Sequence, residues 1–301
     1  VTVFRFAKYE GLGNDFVVVD VDAPDALDAR TDVHALAARL CDRHRGIGAD
    51  GVLLAGVRGG VPFMRVLNAD GSEPEMCGNG LRCVALHLAR TGRLRADGAP
   101  VSFDTGAGPH VVRVHAAGTE GLVEVTMRKA TFDPARVPVE ASHPLVDAPL
   151  DVDGRTLRVT ALSLGNPHLV IFEALSQSDR LTLGPRLSRD PRFPAGVNVG
   201  FATQDVAGLT LFVHERGVGF TQACGTGACA AAIAAVATGR APQGAALAVR
   251  LPGGVLTVRV DAVDAPVQMT GPARHVFDGT LAFTLLHDGD AAIVGATAEP
   301  R

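Results

Sequence analysis

Two cysteines stand in the same local setting at widely separated points of the chain. Cys77 opens Cys-Gly-Asn-Gly and Cys224 opens Cys-Gly-Thr-Gly, each directly before a strongly apolar stretch. Glycine permits a tight turn and lets a ligand approach the backbone. The N–H groups of a first helical turn have no partner inside the helix, so each segment is suited to hold a carboxylate. A cysteine at that end of a helix has its thiolate stabilised, which predicts a thiol pKa falling from about 8.5 toward neutrality. A pair of thiols on opposite faces of one bound carbon is equipment for inverting a stereocentre. One thiolate removes the α-proton and the opposing thiol supplies a new one to the other face. The α-proton of an amino acid is barely acidic, so the charge developing on its carboxylate needs preorganised donors in a dry site. Paired helix ends would supply them. Two such thiols, with the cleft closed and empty, would also be near enough to oxidise to a disulfide.

The other thiols do not extend the motif. Cys77 to Cys83 and Cys224 to Cys229 are not Cys-x-x-Cys spacings, and on a helix each pair diverges by more than about 100°. No metal is expected, and Cys41, Cys83 and Cys229 read as structural. The usual amino-acid racemase route, a Schiff base to pyridoxal phosphate, has only Lys8 and Lys129 to use, neither in a recognisable cofactor setting. The cysteine route, without cofactor, is favoured. Gly46 to Gly51, Gly-Ile-Gly-Ala-Asp-Gly, satisfies the dinucleotide pattern G-x-G-x-x-G. A helical segment precedes it and a strand follows, the reverse of what that site needs.

The elements that would position the two thiols are mostly strands. Turn-bounded β-rich runs include 15–20, 51–57, 63–68, 111–114, 122–127, 157–162, 168–173, 209–214 and 255–260. Residues 32–45 have amphipathic helical spacing. The segments 81–90 and 228–237 are far more apolar, and the second is apolar all round, which predicts a helix sheathed by strands. Both belong to an internal repeat. A shift of 147 residues lays Cys77, Gly78 and Gly80 on Cys224, Gly225 and Gly227, and Thr91-Gly92-Arg93 on Thr238-Gly239-Arg240. Gly13-Asn14 before one strand echoes Gly165-Asn166 before another, at a shift of 152. Residues 129–154, rich in proline, read as a linker between two related halves that face each other across a cleft.

Composition sets the class. At 301 residues and 47% apolar content the chain can bury a large core. A net charge of −4, with both signs scattered, disfavours nucleic acid and anionic membranes as partners. No apolar run approaches a membrane span, and five cysteines are an odd number for a disulfide framework, so reduced thiols in a cytoplasm are expected.

Asn68 to Arg82 (NADGSEPEMCGNGLR) and Glu215 to Ala228 (ERGVGFTQACGTGA) resemble the two signature segments of the diaminopimelate epimerase family. GLGNDF at 11–16, GIGADG at 46–51, LGNPH at 164–168 and VNVGF at 197–201 fit the same family, in order. The resemblance implies an α+β fold of two pseudo-symmetric domains, each a mixed β-sheet wrapped around a central buried helix. One half would be 1–130 plus 272–290, the other 131–271, with 291–301 a flexible tail. It implies pyridoxal-independent interconversion of LL- and meso-2,6-diaminopimelate, on the route to lysine and peptidoglycan, and is compatible with a homodimer. Carried over, Cys77 and Cys224 are the acid/base thiols, and His168 and Glu215 assist at the reacting centre. Gly78-Asn79 and Gly225-Thr226 bind the reacting carboxylate. Asn14, Asn68, Asn166, Asn198 and the Glu215-Arg216 pair grip the other polar groups of the substrate. Some members carry Gln directly after the Asp of the third motif, as a substrate contact, where this chain has Gly51. Two other readings compete. Proline racemase and hydroxyproline epimerase share the fold but typically resemble Met-Cys-Gly-His-Gly at the first thiol, where Asn79 stands here. A non-catalytic binder of amino acids would not need both thiols.

Overall fold

The computed structural model describes residues 2–28, 31–74, 76–285 and 291–299. Contacts divide the chain into two compact units, Val1–Val125 with Gly271–Arg301, and Thr126–Thr270.

The first unit begins with β1 (Thr2–Gly11) and β2 (Asn14–Asp20), joined by a two-residue turn in which Leu12 (φ 56°) and Gly13 (φ 79°) are both left-handed. That turn matches the twist of a hairpin and sets Asn14 at the rim of the sheet. Helix α1 (Val33–Cys41) starts at Asp32, whose carboxylate accepts the N–H groups of His34 and Ala35. Its buried face, Val33, Leu36, Ala37 and Leu40, packs on Phe6, Val17, Val19, Val52 and Leu54 of the sheet. The helix stops short of the expected residue 45 because the Asp42 carboxylate takes the N–H groups of His44 and Arg45 into a turn. Next come β3 (Gly51–Arg58), β4 (Val61–Asn68), α2 (Gly78–Arg90), β5 (Val101–Thr105), β6 (His110–Ala117) and β7 (Glu120–Met127). β2 runs parallel to β3 and β3 antiparallel to β4, so Phe16, Gly51 and Asn68 lie side by side on three strands. The sheet wraps α2, which contacts β1, β2, β3, β4 and β6, and Leu81, Val84, Ala85, Leu86 and Leu88 are fully buried. The polar side chains that α2 also buries, Asn79, Arg82 and His87, are met by hydrogen bonds.

The second unit repeats the plan with β8 (Ala148–Val152), β9 (Arg155–Ser163), β10 (Pro167–Ile171), α3 (Gln177–Ser188), β11 (Asn198–Asp205), β12 (Gly208–Glu215), the short β13 (Gly219–Phe220), α4 (Gly225–Ala237), β14 (Ala246–Leu251) and β15 (Gly254–Arg259). Here β10 runs parallel to β11, pairing His168 with Asn198, and β11 runs antiparallel to β12. The eight residues from Ala228 to Ala235 of α4 are fully buried, against β9, β10, β11, β12, β14 and β15. The fold is α+β, two pseudo-symmetric halves each built as a mixed sheet around a central helix. β16 (Val267–Leu285) begins beside β15 and returns to pair along β1.

Three sequence expectations differ from the structure. Residues 129–154 are not a free linker: Val137, Val139, Leu150 and Val152 are buried in the core of the second unit, and β8 pairs with β9. Helix α3 went unread because Gly184 and Pro185 interrupt its pattern, although Ser176 and Asp179 form a capping box at its start. The tail, expected to be flexible, contains β17 (Ala291–Glu299), antiparallel to β16 from Asp278 to Leu285. β16 pairs with β1 as well, and its backbone offers β17 hydrogen bonds along Asp278 to Leu285. The rest of that expectation, residues 300–301, lies outside the described residues.

Candidate active site

Cys77 is the N-cap of α2, with extended backbone (φ −134°, ψ 110°), and Cys224 is the N-cap of α4 in the same conformation (φ −128°, ψ 106°). Each cysteine carbonyl accepts the first helical hydrogen bond, from Leu81 at 2.8 Å and from Ala228 at 2.9 Å. The second glycine of each motif has a specific task. A Cβ at Gly80 would lie 3.4 Å from Cys77 Sγ and 3.0 Å from Leu53, and one at Gly227 would lie 3.2 Å from Cys224 Sγ and 3.0 Å from Val213. The first turn therefore closes directly against the sulfur.

The thiols differ in what surrounds them. Cys77 is half-buried and its Sγ accepts the Gly80 N–H at 3.3 Å. Cys224 is 6% exposed, and its Sγ lies 3.6 Å from Thr226 Oγ1. Burial pushes the Cys224 thiol well above its ordinary pKa, and the neighbouring Glu215 carboxylate adds to the rise, while the Thr226 hydroxyl opposes it. The fall toward neutrality expected from a helix N-terminus is therefore reversed at Cys224: desolvation and an anion outweigh the helix end. All five cysteines are free thiols, and burial also raises Cys41, to about 11, and Cys83.

Around Cys224, the second unit gathers His168, Asn166, Thr226, Glu215, Asn198 and Arg216. His168 is 2% exposed, and burial followed by the charge of Arg216 depresses its pKa to about 3, so the ring is neutral. Its Nε2 is 3.1 Å from Asn166 Oδ1, and Asn166 Nδ2 donates to Thr226 Oγ1 at 3.2 Å. His168 thus reaches the thiol through Asn166 and Thr226. Glu215 is oriented by Thr221, whose hydroxyl donates to Oε1 at 2.6 Å. Asn198 Oδ1 accepts the Arg216 backbone N–H at 3.0 Å, and the Arg216 guanidinium donates to the Ala195 carbonyl at 2.6 Å.

In the first unit, Asn79 in the turn that Cys77 caps is bonded to Asn14, and Asn68 lies on β4 beside Gly51. Asn14 Nδ2 donates to Asp50 at 2.6 Å, and Asn79 Nδ2 donates to Asn14 Oδ1 at 3.5 Å. Asn68 is tied into the 68–72 turn, donating to Ser72 Oγ at 2.9 Å. A Cβ at Gly51 would meet the Leu67 carbonyl at 2.8 Å and the Phe16 ring at 3.5 Å, so this backbone has no room for a side chain there. The repeat pairs these positions across the two units. Gly51 matches Asn198, Asn68 matches Glu215 and Asn79 matches Thr226, all at the shift of 147, while Phe16 matches His168 at 152. Among these four pairs the two ionisable side chains, Glu215 and His168, both stand in the second unit. Sequence reasoning missed Thr221, Asp50 and Arg82. The signal for Arg82 was a charge in the first turns of a helix, directly between the apolar residues Leu81 and Cys83.

Of the two lysines, Lys8 is buried, ion-paired to Asp15 at 2.6 Å and bonded to the Gly48 carbonyl, and Lys129 is exposed. Among the described residues, no cluster of three His, Cys, Asp or Glu side chains is arranged to hold a metal, and no helix is long and apolar enough to cross a membrane.

The architecture is that of a class of two-half α+β proteins known from solved structures. A hydroxyproline epimerase from Agrobacterium vitis, with trans-4-hydroxy-L-proline bound, aligns with a TM-score of 0.64 at 17% identity, covering 92% of each chain. A PhzF-family phenazine biosynthesis protein from Bacillus anthracis aligns with a TM-score of 0.64 at 15% identity, over 92% of this chain and 98% of that one. These likenesses establish the fold. At the level of sequence, the model of the diaminopimelate epimerase family matches residues 6–132 and 160–276. A diaminopimelate epimerase of Desulforudis audaxviator (strain MP104C) is 44% identical over 279 residues, 91% of this chain and 98% of that protein. One of Synechococcus sp. (strain JA-2-3B'a(2-13)) is 45% identical over 287 residues, 92% of this chain and 98% of that protein. The chain belongs to the diaminopimelate epimerase family.

Proposed function

We propose that the chain is a pyridoxal-independent two-base epimerase interconverting LL- and meso-2,6-diaminopimelate. The observation that carries this reading is the pair of thiols, each the N-cap of a buried helix whose first turn closes against its sulfur. One sulfur, as thiolate, takes the Cα proton, and the other, as thiol, delivers a proton to the opposite face. The overall proton count is unchanged, and the roles swap in the reverse direction. As the proton leaves, negative charge moves onto the substrate carboxylate. The N–H groups of Gly78-Asn79 and Gly225-Thr226, partnerless within their helices, stabilise it.

Glu215 and neutral His168 assist. The carboxylate keeps the Cys224 proton in place until it is needed, and the hydroxyl of Thr226, oriented through Asn166 by His168, donates to the sulfur once it is an anion. Asn14, Asn68, Asn166, Asn198, Glu215 and Arg216 hold the substrate's remaining ammonium and carboxylate groups. This activity serves lysine and peptidoglycan precursors, in keeping with a cytoplasmic enzyme, and the family resemblance is compatible with a homodimer.

The test is incubation in D2O with LL-diaminopimelate, L-proline and trans-4-hydroxy-L-proline in turn. Deuterium at Cα of the first substrate alone supports the reading; deuterium only in an imino acid would move the chain to the proline-type racemases. Cys77→Ala and Cys224→Ala should each lower turnover by at least about 10²-fold in folded protein. Unimpaired turnover by either variant refutes the two-thiol scheme.

A further inference from the structure

Arg82 lies on α2 one turn beyond Cys77 and is 0% exposed, a full charge buried beside the apolar residues Leu81, Cys83 and Leu86 of the same helix. Burying a guanidinium is unfavourable unless its donors are met, so its partners show what it is for. Nη2 donates to Asn79 Oδ1 at 2.9 Å, Nη1 to the Gly78 carbonyl at 3.4 Å and Nε to the Pro272 carbonyl at 3.2 Å. Two of the three partners belong to the first turn of the helix that Cys77 caps. At the repeat-related position of the second unit stands Cys229, so this charge is particular to the first unit.

The Asn79 bond starts a chain. Arginine can only donate, so it claims the oxygen of Asn79 and forces the amide nitrogen outward. That nitrogen donates to Asn14 Oδ1. At the far end, Asp50 can only accept, and its Oδ2 takes Asn14 Nδ2. Asp50 is itself fixed: Oδ2 also accepts the Asp15 backbone N–H at 3.0 Å, and Oδ1 accepts Arg43 at 2.8 Å. A side-chain amide is ordinarily free to turn over and exchange its donor and acceptor ends. Here a cation at one end and an anion at the other leave a single orientation for both.

We propose that Arg82 and Asp50 are positioning residues that lock the side-chain amides of Asn79 and Asn14 so that each turns its spare N–H, and not its C=O, toward a substrate carboxylate. Each amide nitrogen has two hydrogens, and the relay uses one of each. The remaining two N–H groups add to the backbone donors of the helix end, giving the first unit a surface of donors matched to a carboxylate. The substrate part of this inference rests on the proposed epimerase activity; the locking of the amides does not.

The experiment compares wild type with Arg82→Met, Arg82→Lys and Asp50→Asn in two measurements. In steady-state turnover of LL-diaminopimelate, Arg82→Met and Asp50→Asn should raise KM about tenfold or more while kcat changes less than about threefold, and Arg82→Lys, still a pure donor, should recover most of the loss. In nitrogen-edited NMR spectra, the Asn14 and Asn79 side-chain amide protons should exchange slowly in wild type and quickly in Arg82→Met and Asp50→Asn. If Arg82→Met does not fold, Asp50→Asn, at a partly exposed position, decides alone. A wild-type KM in folded Arg82→Met or in Asp50→Asn overturns the proposal, as does a fall confined to kcat. If wild type itself turns over no diaminopimelate, the epimerase reading fails, and unchanged amide exchange in the variants would then overturn the relay separately.

Discussion

Gly227→Ala separates the placement of the thiol from the stability of the fold. The added methyl would sit 3.2 Å from Cys224 Sγ, 3.3 Å from its Cβ and 3.0 Å from Val213 Cγ2. Relaxed contacts of this kind fall at about 3.5 to 4.0 Å, so the sulfur must retreat by about half an ångström. Overpacking a buried site costs about 1 to 3 kcal/mol, and alanine in place of glycine within a helix returns about 1 kcal/mol. The net loss of about 0 to 2 kcal/mol corresponds to a fall in Tm of no more than about 8 °C. Proton transfer is more demanding: a 1 Å misplacement can lower a rate about 10²-fold, so half of that predicts a loss in kcat of about tenfold. Gly80→Ala is the internal comparison. There the methyl would stand 3.4 Å from Cys77 Sγ, and its closest neighbour is Leu53 Cδ2, the mobile end of a side chain. Its kcat should stay within about threefold of wild type. Deuterium incorporation at Cα measures both rates, and calorimetry gives both melting temperatures. Wild-type kcat in Gly227→Ala, or a larger loss in Gly80→Ala, would show that the second glycine does not set the position of the sulfur.

Two further outcomes follow from charge. Glu215→Gln removes one of the two influences that raise the Cys224 thiol while burial remains, so its pKa should fall but stay above the ordinary value. Site-resolved alkylation at mildly alkaline pH should label Cys224 faster in the variant, and an unchanged rate would contradict the assignment. His168, depressed to about 3 by burial and by Arg216, should show no change in its ring NMR shifts from pH 8 to pH 5, and a midpoint near 6.5 would refute its neutrality. Because the folded value lies below the unfolded one, the unfolded chain takes up this proton first as pH drops below about 6.5. The fold then loses stability by up to about 1.4 kcal/mol per pH unit from this group, down to its folded pKa. His168→Phe should remove that part of the acid sensitivity in denaturant titrations.

The central helix α4 was the most legible element because its composition leaves no charged face: a stretch such as Ala230-Ala231-Ala232-Ile233 has no stable solvent-exposed arrangement. Helix α3 was the least legible. Its stability comes from burying Leu183 and Leu187 in the core of the second unit, against β11 and β12, while its local signals, Gly184 and Pro185, argue for a break. Residues 129–154 misled for a similar reason. Proline density suggests a spacer, but Val137 and Leu150 supply enough apolar surface to fold the segment into the second unit. The 301-residue chain announces its repeat through glycines and thiols, and those mark the places where the backbone must pass close to something else.

The grouping of His168, Asn166, Thr226 and Glu215 about Cys224 was legible in the sequence, and its electrostatics were not. Identical settings in sequence, Cys-Gly-x-Gly before an apolar helix, predict thiols of equal character. The structure makes them unequal through residues that the repeat does not conserve between its two halves: Glu215 stands where Asn68 stands, His168 where Phe16 stands, and Cys229 where the buried charge of Arg82 stands. A helix N-terminus contributes roughly half a charge at close range, which desolvation together with a full carboxylate can exceed. Cys224, buried beside Glu215, is accordingly held in its thiol form, which in the proposed scheme is the form that donates a proton. A two-base epimerase needs one thiolate and one thiol at the start of each turnover, and two equivalent sites would have no reason to differ. Divergence between the halves gives the two thiols different surroundings, and in the proposed scheme that difference decides which sulfur starts as the acid.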